Sequence, residues 1–438
     1  MNSITLTATI CAGLAAACSA NSSNDEATST TQALETRKVG LNARRAERGL
    51  AISPVPIDTS HMSRQQKAQV GLGSYIANGT SDCAGCHTGP QGFLSGGNPF
   101  KVDDAGHVVF SRNLTPDVAT GLRMTLAQFK SVIRTGVDLH VDPTKQLLVM
   151  PWLIFRWMSD DDIEALYAYL LAVPAVSNAV PSDNKAGLTL PASTPFPGYY
   201  NDGDIARSLP RGGESFDSER GLAIAPLKNP DLRGHTLEQY ASGSYIANSM
   251  AHCQDCHSNP DRTPSNHINT ASYLLGGGVY NVPPPLQPIL KQVRAMSANL
   301  EGKVHGFFNE PDDSFARYKA IMTTGTHADE SPPRPLGFPM NLVAANLANL
   351  LDDDLVSLYT YEKHVPSISG SYDVQRQNYA RYCTADADCG VGESCASATH
   401  ECAGKACSAD SDCDACQTCT SGSCAAPLPT SACLATSR

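Results

Sequence analysis

The chain has 438 residues, a length that fits two or three domains. Lys plus Arg number 32 and Asp plus Glu 43, a formal net charge of −11 with no basic stripe, which argues against a nucleic-acid partner. Its 16 cysteines fall into three groups: Cys11 and Cys18 near the start, two pairs inside the body, and ten from Cys383 to Cys433. The density of the last group implies disulfides and an oxidising compartment.

In chain order, Ile4 to Ala17 is a short apolar run of small residues, too short to span a bilayer. It ends in Leu14-Ala15-Ala16-Ala17-Cys18, which resembles a bacterial lipoprotein signal. That resemblance implies lipid on Cys18 and a periplasmic or cell-surface location, with 1–18 as the signal. An ordinary cleaved signal is the alternative, because no Lys or Arg precedes Arg37. Residues 19–46 begin rich in Ser, Thr, Asn and Ala and read as a flexible tether.

An internal duplication follows. Glu47-Arg48-Gly49-Leu50-Ala51-Ile52 recurs as Glu219-Arg220-Gly221-Leu222-Ala223-Ile224. Gly73-Ser74-Tyr75-Ile76-Ala77-Asn78 recurs as Gly243-Ser244-Tyr245-Ile246-Ala247-Asn248. The order continues through Thr135-Gly136 and Thr324-Gly325 to Asp160-Asp161-Asp162 and Asp352-Asp353-Asp354. The copies run over 47–176 and 219–369, joined by a Pro/Ser/Gly-rich linker at 177–218. Each reads as helical. Arg64 to Asn78 leads into a cysteine pair, and Thr125 with Gln128 forms a capping box. Ser159 and three aspartates open the last helix, whose stripe is Ile163, Leu166, Tyr167 and Leu170. In the second copy Glu362 interrupts that stripe, so the last helix there is expected to be shorter or more exposed.

Each copy carries Cys-x-x-Cys-His: Cys83, Cys86 and His87, then Cys253, Cys256 and His257. On a helical turn these residues share one face, so two thiols can add to the two vinyl groups of one porphyrin while the histidine meets the iron. The expected cofactors are therefore two covalently bound haem c. Zinc fits poorly, because each pair sits in its own repeat and carries its own histidine. A redox dithiol needs no following histidine.

A sixth ligand decides between a closed iron and an open one. Met150 and Met340 both precede the aspartate-rich helix and are the expected iron ligands beside His87 and His257. His140 and His327 are the runners-up. Trp152, Phe155 and Trp157 are expected around the first porphyrin.

The run Gly71-Leu72-Gly73-Ser74-Tyr75, Cys83-Ala84-Gly85-Cys86-His87, Arg112-Asn113-Leu114-Thr115-Pro116-Asp117, Arg134-Thr135-Gly136 and Met150-Pro151-Trp152 resembles bacterial class I cytochrome c domains. The likeness extends to multihaem cytochrome subunits that serve membrane-associated dehydrogenases. It implies an all-α fold of two tandem class I domains, His/Met ligation and electron transfer with protein donors and acceptors. The second copy departs, with Asn299-Leu300-Glu301-Gly302 in the Asn-Leu-Thr-Pro-Asp region and neither Pro nor Trp after Met340.

The remaining segment, 380–438, reads as a small disulfide-rich module. Cys383, Cys389 and Cys395 recur as Cys407, Cys413 and Cys419 at an offset of 24 residues, and Cys416 with Cys433 form a possible extra pair. Its roles divide between stability or display and docking, with metal binding at Cys413, Cys416 and Cys419 as a third. The whole reads as an exported electron carrier rather than an enzyme. The competing readings are a dihaem peroxidase or small sulfur-compound dehydrogenase with one open iron, and a haem-based sensor or adhesive surface protein.

Overall fold

A computed structural model describes residues 38–103, 105–139, 142–185, 214–258, 273–276, 279–300, 308, 312–329, 333–366, 379–389, 393–404, 407–409, 418–420 and 423–425. The first half contains helices α1 (38–52), α2 (Arg64–Tyr75), α3 (Cys83–His87), α4 (Leu126–Thr135), α5 (Trp152–Phe155) and α6 (Asp160–Ala172). The second half repeats them as α7 (Ser218–Ile224), α8 (Gly234–Tyr245), α9 (Cys253–His257), α10 (Phe315–Thr324), α11 (Met340–Leu347) and α12 (Asp352–His364). A short helical turn at Gln287–Leu290 lies in the longer loop of the second half.

The caps follow the sequence. Thr125 and Gln128 exchange a capping box at the head of α4. The Ser159 side chain accepts from the Asp162 N–H, and three aspartates fill the first turn of α6. α4 and α10 both stop at a left-handed glycine, Gly136 and Gly325. One expectation fails: α12 has 13 residues, as α6 has, and Glu362 is buried rather than exposed. The stripe still faces inward there, because Glu362 lines a buried cavity.

α2 and α8 each run into a single π turn, Ile76–Thr80 and Ile246–Met250. Before that turn, the repeated glycine lets two helices touch. A Cβ on Gly73 would lie 1.9 Å from the Ala165 carbonyl oxygen of α6, and one on Gly243 would lie 2.0 Å from that of Ser357 on α12. The serine that follows ties the first helix of each half. Ser74 Oγ donates to the Gly49 carbonyl at 2.6 Å, and Ser244 Oγ to that of Gly221 at 2.7 Å.

The molecule is largely helical, but the all-α expectation is corrected by several short hairpins. β1 (Pro99–Lys101) pairs with β2 (Val108–Phe110), β3 (Val137–Asp138) with β4 (Asp142–Gln146), β5 (Val279–Asn281) with β6 (Gln292–Met296), and β7 (Thr326–His327) with β8 (Arg334–Pro335). All of these ladders are antiparallel. Such two- to five-residue strands are too short to leave an alternating pattern in the sequence.

The halves share one core, sealed by a crossed pair of tyrosines. Tyr75 donates to Asp354 at 2.5 Å and accepts the Leu351 N–H at 2.8 Å. Tyr245 donates to Asp162 at 2.6 Å and accepts the Ser159 N–H at 2.7 Å. Phe216 packs between the two rings, at centroid distances of 5.9 and 6.3 Å. Arg45 lies 3.8 Å over Phe216 and pairs with Asp354.

Two boundaries read from composition therefore shift. Residues 38–46, placed in the tether, are helix with Arg45 buried. The linker's described ends are packed: Phe216 is core, and Asn178 donates to the Ser95 and Gly96 carbonyls at 2.9 and 3.1 Å. Polar or Pro-rich composition therefore does not by itself report a lack of contacts.

The tail docks on the second half. β9 (Tyr379–Arg381) adds a third strand beside β6, and the Tyr382 N–H donates to the Lys291 carbonyl at 3.0 Å. β10 (Glu393–Ala396) pairs with β11 (Glu401–Gly404), and β12 (Thr418–Thr420) with β13 (Ser423–Ala425). Disulfides join Cys383 to Cys395, Cys389 to Cys402 and Cys407 to Cys419. The bond on Cys419 removes it from the alternative metal triad, while Cys413, Cys416 and Cys433 lie outside the described residues, as do Cys11 and Cys18.

Candidate functional site

Each π turn delivers the chain to a left-handed residue, Asp82 at φ 46° and His252 at φ 42°, which starts the short helix of the Cys-x-x-Cys-His motif. A non-glycine residue in that region stores strain, and strain at the same place in both halves marks a constrained site. At the first, the Asp82 carboxylate accepts the Gly85 N–H at 3.0 Å and so holds the turn.

The histidines are fixed in the same way in both halves. His87 Nδ1 donates to the Arg112 carbonyl at 2.7 Å, and His257 Nδ1 to the Ala298 carbonyl at 2.6 Å. That bond settles the ring orientation and leaves Nε2 to meet a metal. The receiving strand is itself clamped. The N–H of Gly96 donates to the His87 carbonyl and that of Gly276 to the His257 carbonyl, both at 2.7 Å. Both glycines have positive φ, and a Cβ there would meet Arg112 or Ala298 backbone within 2.6 Å. Burial pushes both imidazoles below their ordinary pKa, which favours the neutral form that can ligate.

Two cavities form around these histidines. In the first half Cys83, Cys86, His87 and Met150 line one, with Phe155 from α5 and Phe129, Leu166 and Leu170 from α4 and α6. In the second half Cys253, Cys256, His257 and Met340 line the other, with Tyr318 and Glu362. Every expected ligand thus faces a cavity with its own cysteine pair. Among the aromatic residues expected beside the first porphyrin, Phe155 lines the cavity, whereas Trp152 is buried beside Gly136. His327 lines the second cavity beside Met340, and His140 lies outside the described residues.

The methionines are not placed identically. Leu147 and Leu336 make the same 2.7 Å bond to Gly136 and Gly325. Met150 comes three residues after Leu147, in the loop before α5, while Met340 comes four after Leu336 and is the first residue of α11.

The donor set fits a thioether-bound haem. The four motif cysteines are not joined in disulfides, whereas six cysteines of the tail are. Burial pushes the Cys83 thiol up to about 12 and the Cys253 thiol higher still, the opposite of a reactive dithiol.

The cavities abut. Asp82, His252 and Cys256 line both, and Gly79 and Thr80 of the first half wall the cavity of the second. The crossed tyrosines hold this shared wall in place. The signal that could have found it was the repeat itself, since Tyr75, Tyr245, Asp162 and Asp354 all recur in register.

No helix among the described residues is long and apolar enough to cross a membrane. No family model matches the chain. Curated relatives do. The chain is 25% identical over 313 residues to the fructose dehydrogenase cytochrome subunit of Gluconobacter japonicus, covering 69% of this chain and 53% of that one. It is 26% identical over 319 residues to the gluconate 2-dehydrogenase cytochrome c subunit of Pantoea cypripedii, covering 71% and 63%. It is 28% identical over 229 residues to a nicotinate dehydrogenase subunit of Pseudomonas putida, covering 51% of this chain and 17% of that one. The chain therefore spans less than two thirds of the length of each of these relatives.

Proposed function

We propose that this chain is an exported dihaem cytochrome c that passes electrons between a dehydrogenase partner and a further acceptor. The observation that carries the reading is the repeated histidine geometry: one ring nitrogen bonded to a backbone carbonyl, the other left for iron, beside two cysteines outside any disulfide and a methionine. The likeness to cytochrome subunits of sugar and sugar-acid dehydrogenases supports the class of partner. A bound c-type haem supplies a one-electron ferric/ferrous couple.

In this reading the chain's residues do four things. Cys83 with Cys86, and Cys253 with Cys256, hold the porphyrins as thioethers. His87 and His257 are the proximal ligands, oriented by Arg112 and Ala298. Met150 and Met340, which line the cavities, would supply the further iron ligand and keep water away. Asp82 and His252, which line both cavities, would hold the two cofactors as neighbours, the arrangement that electron exchange between them requires. Lipid on Cys18 would hold the protein at a membrane facing the periplasm or the cell surface.

The test is a haem count with a ligand assay on protein matured where c-type haem is assembled. Two haems per chain are expected, with a weak near-infrared methionine-to-ferric-haem band that Met150→Ala and Met340→Ala each reduce, and no reaction with carbon monoxide. One haem per chain would overturn the reading. Carbon monoxide binding at the second haem would favour the enzymatic alternative there, which the one-residue displacement of Met340 and the polar residues of that cavity already single out.

A further inference from the structure

Among the differences between the two cavities is a pair of residues on their helices. Counting from the triple aspartate of α6 and α12, Leu170 of the first half corresponds to Glu362 of the second. Counting back from the glycine that ends α4 and α10, Phe129 corresponds to Tyr318. All four line a cavity, so an apolar pair at one haem site is replaced by a phenol and a carboxyl at the other.

Glu362 is 2% exposed, and its Oε2 has no partner among the described residues. Tyr318 lines the same cavity, and its hydroxyl favours the ionised carboxyl, against the effect of burial. The nearby cations are engaged elsewhere: Lys363, its neighbour, pairs with Asp313 at 2.8 Å, and Arg317 with Asp329 at 2.7 Å. Cys253, which couples to Glu362 electrostatically, becomes a thioether in the matured protein. The same cavity is lined by Asp82, His252, His257, Arg317, His327 and Arg334, and α8 packs against α12 through Tyr240 on Tyr361. A carboxyl this deep, whose ionisation is governed by burial and Tyr318 among the described residues, is costly to ionise.

We propose that Glu362, positioned by Tyr318, is a proton-binding site coupled to the second haem, so that this haem takes up a proton with its electron and the first does not. The inference rests on the dihaem reading. The balance is one electron from the donor reducing Fe(III) to Fe(II), and one proton from solvent converting the Glu362 carboxylate to the carboxylic acid. A carboxylate stabilises the extra positive charge of the ferric site in a low-dielectric cavity, and losing that charge on reduction raises the carboxyl's affinity for a proton. The linkage is reciprocal: the protonated carboxyl raises the potential. Burial already pushes Glu362 up to about 8, which puts the exchange in an accessible range.

The test is a spectroelectrochemical titration of the full-length dihaem protein from pH 6 to 10, after its haems are counted. In the wild type one potential is expected to fall with pH, by at most about 59 mV per unit for one proton per electron, and the other to stay flat. In Glu362→Gln both should be flat, with two haems still bound. In Tyr318→Phe the bend should move to higher pH, because that hydroxyl stabilises the carboxylate. If Glu362→Gln matures poorly, Glu362→Leu, the residue of the first half, carries the same test. Two haems with flat potentials, or a slope that survives both substitutions, would overturn the proton site alone. A protein with a single haem would overturn the dihaem reading beneath it.

Discussion

Asp354 and Glu362 lie on the same helix and show the two outcomes of burying a carboxyl. Asp354 meets Arg45 and the Tyr75 hydroxyl, so its charge is matched. Glu362 meets Tyr318 instead of a cation, and burial pushes it up from 4.5 to about 8. The folded protein therefore binds a proton that the unfolded chain releases between about 4.5 and 8. The stability this represents is present below 4.5 and is lost as pH rises through 8. Urea unfolding at a series of pH values should show the wild type losing on the order of a few kcal/mol across this window relative to Glu362→Gln. Equal slopes would mean that the carboxyl is ionised, or solvated, in the fold. In the sequence Glu362 reads as a flaw in an apolar stripe, because a residue's own identity does not say whether a phenol awaits it inside.

At the scale of elements, the repeated Gly-Ser-Tyr segment does its work at a helix crossing. Gly73 and Gly243 have no room for a methyl group, since the backbone of α6 or α12 lies where the Cβ would be. Gly73→Ala should push α2 off α6 and cost about 1–3 kcal/mol or more, seen as a lowered thermal midpoint. An unchanged midpoint would show that the crossing relaxes without loss. The caps of α4 and α6 were legible, because a capping side chain and its backbone partner lie within four residues. The hairpins were not, since strands of so few residues are held by the loops they join.

For the whole molecule, the decisive contacts are those between the halves. Tyr75 and Tyr245 each satisfy a buried carboxylate and a backbone N–H of the opposite half. Replacing either with Phe takes the phenol from the backbone N–H and removes one of the carboxylate's donors, Arg45 still meeting Asp354 and the Phe216 N–H still meeting Asp162, at about 1–3 kcal/mol per variant. The wild type should unfold in one calorimetric transition, and the double variant Tyr75→Phe/Tyr245→Phe in two, as the halves lose their coupling. A single transition in the double variant would place the coupling elsewhere, with Phe216 and the Arg45–Asp354 pair as the alternatives.

The sequence by itself determined the duplication, the helix caps, the two Cys-x-x-Cys-His motifs and the crowded cysteines of the tail. All of these rest on local chemistry, with the participating residues a few positions apart or repeated in order. Only the tertiary structure decided that Arg45 and Phe216, in stretches that read as tether and linker, belong to the shared core. It alone set the walls of the two cavities against each other at Asp82 and His252, and placed Glu362 opposite Tyr318. Those pairings join residues tens to hundreds of positions apart, and which buried group faces which is settled only when the helices pack.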